Sequence, residues 1–127
     1  MPATSIREPV PVLVVGSDPK DSEALVVSFS DRGYDVVWAK DAESAYNVLD
    51  SRRIDVLIAE LGMRGLDSMR LLRVAKKRNP DICVVMLANR SNLELATKTM
   101  REGVYDFQTK PINFEKLHAV VERGVSH

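Results

Sequence analysis

The sequence predicts an α/β domain of the doubly wound kind, five parallel strands alternating with five helices. Short runs that are apolar from end to end alternate with segments of helical spacing that begin at polar caps. Uninterrupted apolar strands imply a sheet covered on both faces, the requirement of a parallel sheet with helices on each side. At 127 residues the chain has room for one such domain and is too short for two.

Val12-Leu13-Val14-Val15 is the first apolar run and ends at Gly16. Asp18 as N-cap, Pro19 in the first turn and Gly33 as the stop bound a helix with apolar positions Ala24, Leu25, Val27 (or Ser28) and Phe29. Asp35 to Ala39 reads as the second strand, and Asp41 caps a helix carrying Ala45, Val48 and Leu49. Asp55 to Glu60 is the third strand, followed by the loop Gly62-Met63-Arg64-Gly65. Met69, Leu72 and Ala75 mark the third helix, which ends before Asn79-Pro80. Ile82 to Leu87 is the fourth strand, and Leu93, Ala96 and Met100 mark a helix closed by Gly103. Tyr105 to Gln108 makes a short fifth strand. Asn113 then caps a last helix with Leu117, Val120 and Val121 on its apolar side. Residues 12–124 are expected to form the domain, 1–11 a flexible N-terminal segment and 125–127 a tail.

Composition narrows the function classes. Lys plus Arg and Asp plus Glu are 18 each, a formal net charge of +0, where a nucleic-acid surface needs a basic excess. The cluster Lys76-Lys77-Arg78 falls at a helix end, where cations are favoured. Cys83 is the sole cysteine, so no intrachain disulfide forms, and a buried thiol suits a reducing cytoplasm. Met1 to Pro11 holds no apolar signal core, and no run approaches the roughly 18 apolar residues of a membrane span. The expectation is a soluble cytoplasmic protein with no membrane contact and no direct nucleic-acid contact.

In doubly wound folds the working groups stand at the C-terminal strand ends, where the strand order reverses. Those positions are Gly16-Ser17-Asp18, Glu60, Ala88 and Lys110. The segments around them resemble the receiver domain of bacterial response regulators, from about Val12 to Arg123. Val14-Val15-Gly16-Ser17-Asp18-Pro19 is similar to that family's first-strand motif, and Gly33-Tyr34-Asp35-Val36 to its turn into the second strand. Asp55-Val56-Leu57-Ile58-Ala59-Glu60 with Met63-Arg64-Gly65-Leu66-Asp67 resembles its phosphoacceptor strand and loop. Gly103-Val104-Tyr105-Asp106-Phe107-Gln108-Thr109-Lys110-Pro111 is the strongest segment. The resemblance implies a CheY-like, flavodoxin-like (βα)5 fold with strand order 2-1-3-4-5. It also implies a phosphotransfer switch, in which acids hold Mg²⁺, a carboxylate takes the phosphoryl group, and a hydroxyl and a lysine contact it. Such transfer is mostly positioning and charge neutralisation.

This chain departs from that plan at nearly every chemical position. Gly16 and Ser17 stand at the acid pair, leaving Asp18 as the acid, whereas Mg²⁺ wants oxygen ligands from one or two carboxylates plus waters. Glu60 replaces the acceptor aspartate, and its extra methylene moves the carboxylate by about 1.5 Å. A misplacement near 1 Å costs roughly 100-fold in rate. Ala88 replaces the hydroxyl and Arg64 the usual proline, while Lys110 and Pro111 keep the pattern. Neither Mg²⁺ nor another cofactor is expected.

Two readings attach to Glu60 and Lys110. Glu60 imitates a phosphorylated aspartate, or the two form a plain ion pair that keeps Lys110 from being buried alone. A phosphoryl group brings about −1.5 to −2 charge and three oxygens, more than Glu60 supplies, and Ala88 has no hydroxyl to answer it, so the ion pair is favoured. Phe107 is either an aromatic switch fixed inward over Ala88 or a core phenylalanine. Asp18 reads as a cap, Asp67 as a solvated loop residue and Trp38 as packing. His118 and His127 show no metal or catalytic spacing.

The pattern is nearest to N-terminal receivers of NtrC-type transcriptional activators. The leading expectation is a degenerate, phosphorylation-independent receiver in two-component-type signalling, not an enzyme. It would act through the fourth helix, fifth strand and fifth helix on an output domain or partner, with that face also available for a homodimer. The tail at 125–127 would open the linker to the output domain. The alternative is a receiver that still accepts a phosphoryl group with Mg²⁺, as a phosphorelay acceptor. A third reading is a stand-alone adaptor.

Overall fold

The structure is a computed structural model and describes residues 8–126. Most of the expected N-terminal segment, and His127, lie outside the described residues. The elements are β1 (Pro11–Val15), α1 (Pro19–Asp31), β2 (Asp35–Ala39), α2 (Ala42–Ser51), β3 (Val56–Glu60), α3 (Ser68–Arg78), β4 (Cys83–Ala88), α4 (Leu93–Arg101), β5 (Asp106–Thr109) and α5 (Phe114–Val125). A 3-10 turn, Arg90–Asn92, precedes α4. All four strand pairings are parallel, in the order β2-β1-β3-β4-β5. The fold class and strand order are those expected from sequence.

Side chains alternate across the pleat and build two cores. Leu13, Val15, Leu57, Ala59, Val84, Met86 and Ala88 face α2, α3 and α4 through Ala45, Leu49, Leu71, Leu72, Ala75 and Ala96. Val12, Val14, Val56, Ile58, Val85 and Leu87 face α1 and α5 through Leu25, Phe29, Leu117, Val120 and Val121. The central strands are sealed on both sides, so their runs carry no polar alternation.

Several sequence expectations need correcting. Strand limits move by one residue, with β1 starting at Pro11, β3 at Val56, β4 at Cys83 and β5 at Asp106. Val125, expected in the tail, closes α5. On α1, Ala24 is exposed and Val27 is 58% exposed, and Ser22 is buried in their place beside Leu25 and Phe29. On α4, Leu93 and Met100 are each 41% exposed, while Ala96 and Thr99 face inward. These short helices bury a narrow stripe, and apolar residues at its margins face solvent. Asp67 is exposed in the loop as expected, and its side chain also accepts from the Met69 and Arg70 amides and caps α3. The caps expected at Asp18, Asp41 and Asn113 all form.

Candidate functional site

Strand order reverses between β1 and β3, and the polar residues at the C-terminal ends of β1, β3 and β5 converge there. Glu60 is the centre. Its Oε2 accepts from the Ser17 amide at 3.1 Å and from the Ser17 hydroxyl at 3.1 Å. Its Oε1 accepts from Lys110 Nζ at 3.0 Å. Lys110 Nζ also lies 3.2 Å from Asp21 Oδ2, on the first turns of α1. The Glu60 and Lys110 side chains are only 15% and 17% exposed, so this is a largely buried pair.

Burial by itself would raise the Glu60 carboxyl. The Ser17 amide, Lys110 and the Ser17 hydroxyl outweigh it and hold the group below the ordinary glutamate value. Burial would likewise lower Lys110, yet hydrogen bonds and charge from Glu60 and Asp21 carry its ammonium above the ordinary lysine value. Both groups are ionised at neutral pH.

Sequence reasoning placed Glu60 and Lys110 together correctly and missed Asp21 and Ser22. The signal for both was helical spacing: Asp21 follows the cap Asp18 by three residues, and Ser22 by four. Their effect on the cleft is large. A β-carbon on Gly16 would stand 2.8 Å from Ser22 Oγ, so a side chain there would have to displace the Ser22 hydroxyl on the α1 wall. The cleft bounded by Gly16, Asp18, Asp21, Ser22, Glu60 and Lys110 encloses a cavity of about 10 Å³, room for one water at most.

Mg²⁺ requires near-octahedral oxygen ligands and keeps several waters. In this cleft the Ser17 hydroxyl and both Glu60 oxygens are already engaged, and an ammonium stands between the two carboxylates. Among the described residues no three of His, Cys, Asp or Glu come together so as to hold a metal ion. The Ser17 hydroxyl, the Glu60 carboxylate and the Lys110 ammonium thus satisfy one another in this cleft.

Asp18 lies at the cleft edge, where it caps α1 by accepting from the Lys20 amide at 3.0 Å. Ala88 is fully buried at the end of β4, its carbonyl accepting from the Lys110 amide at 2.8 Å. The segment after it is tied down by Asn92, which accepts from the Asn89 amide at 2.7 Å and donates to the Leu61 carbonyl at 3.2 Å. Phe107 is half-buried and packs against the core cluster that contains Ala88. Pro111 follows Lys110 through a cis peptide bond and is exposed, as is Arg64. Trp38 donates from Nε1 to the Gly16 carbonyl at 2.9 Å, fixing the chain that leaves β1. His118 does have a partner: its Nε2 lies 2.7 Å from Ser28 Oγ across the α1–α5 interface, far from the cleft.

The sequence model of the response regulator receiver domain matches residues 12–122. The chain belongs to the response regulator receiver family. This receiver is 31% identical over 116 residues to the nitrogen assimilation regulatory protein NtrX of Azorhizobium caulinodans, covering 90% of this chain and 26% of that protein. It is 28% identical over 116 residues to the DNA-binding transcriptional regulator NtrC of Escherichia coli strain K12, covering 91% of this chain and 25% of that protein. The crystal structure of NtrX from Brucella abortus superposes with a TM-score of 0.85 at 31% identity, over 93% of this chain and 27% of that one. A receiver domain protein from Clostridium thermocellum, 23% identical, shares the fold with a TM-score of 0.85 over 92% of this chain and 94% of that one. The chain spans about a quarter of the length of the curated relatives it matches. Among the described residues no helix is long and apolar enough to cross a membrane.

Proposed function

We propose that this receiver is a phosphorylation-independent regulatory domain of a cytoplasmic transcriptional regulator, a pseudo-receiver that neither binds Mg²⁺ nor catalyses phosphotransfer. The closed network of Ser17, Glu60, Lys110 and Asp21 carries this reading. It satisfies the acceptor-position carboxylate from two sides and leaves a cavity of only about 10 Å³ beside it. On this reading Glu60 serves as the counterion of Lys110 in place of an acceptor.

Output then passes through protein–protein contact. The α4-β5-α5 face offers Leu93 and Met100, seven residues apart on one side of α4, and the nearby Tyr105, all exposed. An output domain, a partner protein or a second copy of the receiver docks there, without a phosphorylation signal to set its affinity.

Incubation with acetyl phosphate and Mg²⁺ followed by intact-mass measurement tests the reading. No mass gain is expected, under conditions in which a receiver with the full acid set is labelled. A single added phosphoryl group, on Glu60 or another acid, would overturn it and restore the phosphoacceptor alternative.

A further inference from the structure

Helix α3 is the most one-sided element of the chain in charge. It holds Arg70, Arg73, Lys76, Lys77 and Arg78 and no acid. The negative end of the helix accounts for the last three, which fall in its final turn, but not for Arg70 and Arg73. Lys76 turns inward to the Ile82 carbonyl at 3.1 Å, and Arg78 pairs with Asp50 of α2. Arg70, Arg73 and Lys77 remain as an exposed stripe at spacings of three and four residues. Their partners are weak. Arg73 reaches Glu102 only at 3.9 Å, with both side chains well solvated. Arg70 lies 5.2 Å above the Tyr46 ring. Among the described residues Lys77 makes no ion pair.

Beside this stripe runs a groove of about 490 Å³ between α2 and α3. Half-buried Tyr46 and Val74 supply apolar surface, Arg70 and Lys77 supply cationic edges, and Asp50 is the one acid, already engaged by Arg78. We propose that this groove docks an acidic segment of a partner protein. Its carboxylates would meet Arg70 and Lys77, and an apolar side chain would lie against Tyr46 and Val74. A protein segment suits the charge distribution better than a nucleic acid does. Because α3 takes five cations and no anion from a chain with 18 of each, the remainder carries five more anions than cations. The stripe spans only about two helical turns, enough for a short acidic segment and not for the many phosphate contacts a long polyanion makes. The groove is separate from the Glu60 cleft, so the proposal stands whether or not the domain accepts phosphate.

The test uses this receiver labelled with ¹⁵N and a fluorescein-tagged synthetic peptide of alternating Glu-Glu-Leu and Asp-Glu-Phe triplets. Saturable binding is expected, with amide shifts centred on Tyr46, Val74 and Lys77. The double variant Arg70→Glu/Lys77→Glu is expected to weaken it by about 10-fold or more. Lys20→Glu/Arg32→Glu, the same charge change at the two ends of α1 on the opposite face of the sheet, should alter it by less than about 2-fold, a difference that separates a docking site from general attraction. Circular dichroism of both variants checks that they fold. Equal weakening by the two variants would overturn the proposal, as would equally tight binding of the peptide with Gln and Asn replacing its acids. So would shifts centred away from the groove, no binding at about 1 mM peptide, or displacement of the peptide by oligothymidine at about 0.15 M salt.

Discussion

The Ser22 hydroxyl stands 2.8 Å from the point that a β-carbon on Gly16 would occupy. That distance is shorter than a real β-carbon tolerates, and Ser22 is buried, so the hydroxyl must shift within close-packed surroundings. Gly16→Ala should therefore destabilise the domain by about 1 kcal/mol. Crowding at about 1–3 kcal/mol outweighs the backbone-entropy gain of roughly 0.4–1 kcal/mol. In a Ser22→Ala background, with the crowding gone, the same change should stabilise by roughly 0.4–1 kcal/mol. Urea unfolding of the four proteins in this cycle measures the coupling; strictly additive effects would show that the contact is not the cause.

Lys110 is shared between Glu60 and Asp21, and the two carboxylates should count unequally. Lys110→Met leaves Glu60 buried without its cation and is expected to cost about 2 kcal/mol, below the range for fully buried pairs because water still reaches this one. Asp21→Asn, at the more exposed partner, is expected to cost about 0.5 kcal/mol. Chemical denaturation at neutral pH distinguishes them; equal losses would mean that Glu60 is not the main partner.

The pH dependence of this pair has a definite sign at each end. Glu60 sits below its ordinary value of 4.5, so its stabilisation is full above that pH and is lost as pH falls through the lower folded value. Lys110 sits above its ordinary 10.5, so its share is full below that pH and is lost as pH rises through the folded value. Stability measured against pH in Glu60→Gln should lose the Glu60 part of the acid fall and most of the Lys110 part of the alkaline fall.

His118 should act in a different window. It is buried between α5 and α1 against Phe29, with Nε2 at Ser28 and Nδ1 without a hydrogen-bond partner. Burial first and Arg32 second hold its imidazole below the ordinary 6.5, against a smaller pull from Glu122. The folded form thus resists a proton that the unfolded chain accepts. Stability should decline as pH drops below 6.5 and level off once the folded value is passed. His118→Phe should flatten that decline in thermal unfolding between about pH 7 and 5. An unchanged slope would remove His118 as its source.

Cys83 should be inert while the domain is folded. Its thiol is 4% exposed, and burial pushes its pKa up to about 11. Reaction with a thiol reagent at pH 8 should track unfolding as urea is added. Rapid labelling in the native state would contradict this packing.

The alternation of sealed apolar runs with capped helices was enough to announce the architecture, because parallel strands and helix ends leave local, periodic marks. Leu117, Val120 and Val121 lie inward as their spacing indicates, and Asp18, Asp41 and Asn113 cap where expected. Val27, Leu93 and Met100 broke the pattern because hydrophobicity does not say how wide a buried stripe a short helix presents. The loss of acids at Gly16 and Ser17 and the survival of Lys110 could be read by position along the chain. That Ser17 turns both its amide and hydroxyl onto Glu60, that Asp21 completes the charge cluster and that Ser22 excludes a side chain at Gly16 could not. Those contacts join residues 43 and more positions apart, or oppose a helix wall to a loop. Residue identity sets which groups are available; only the packing of α1 against the strand ends decides which of them meet.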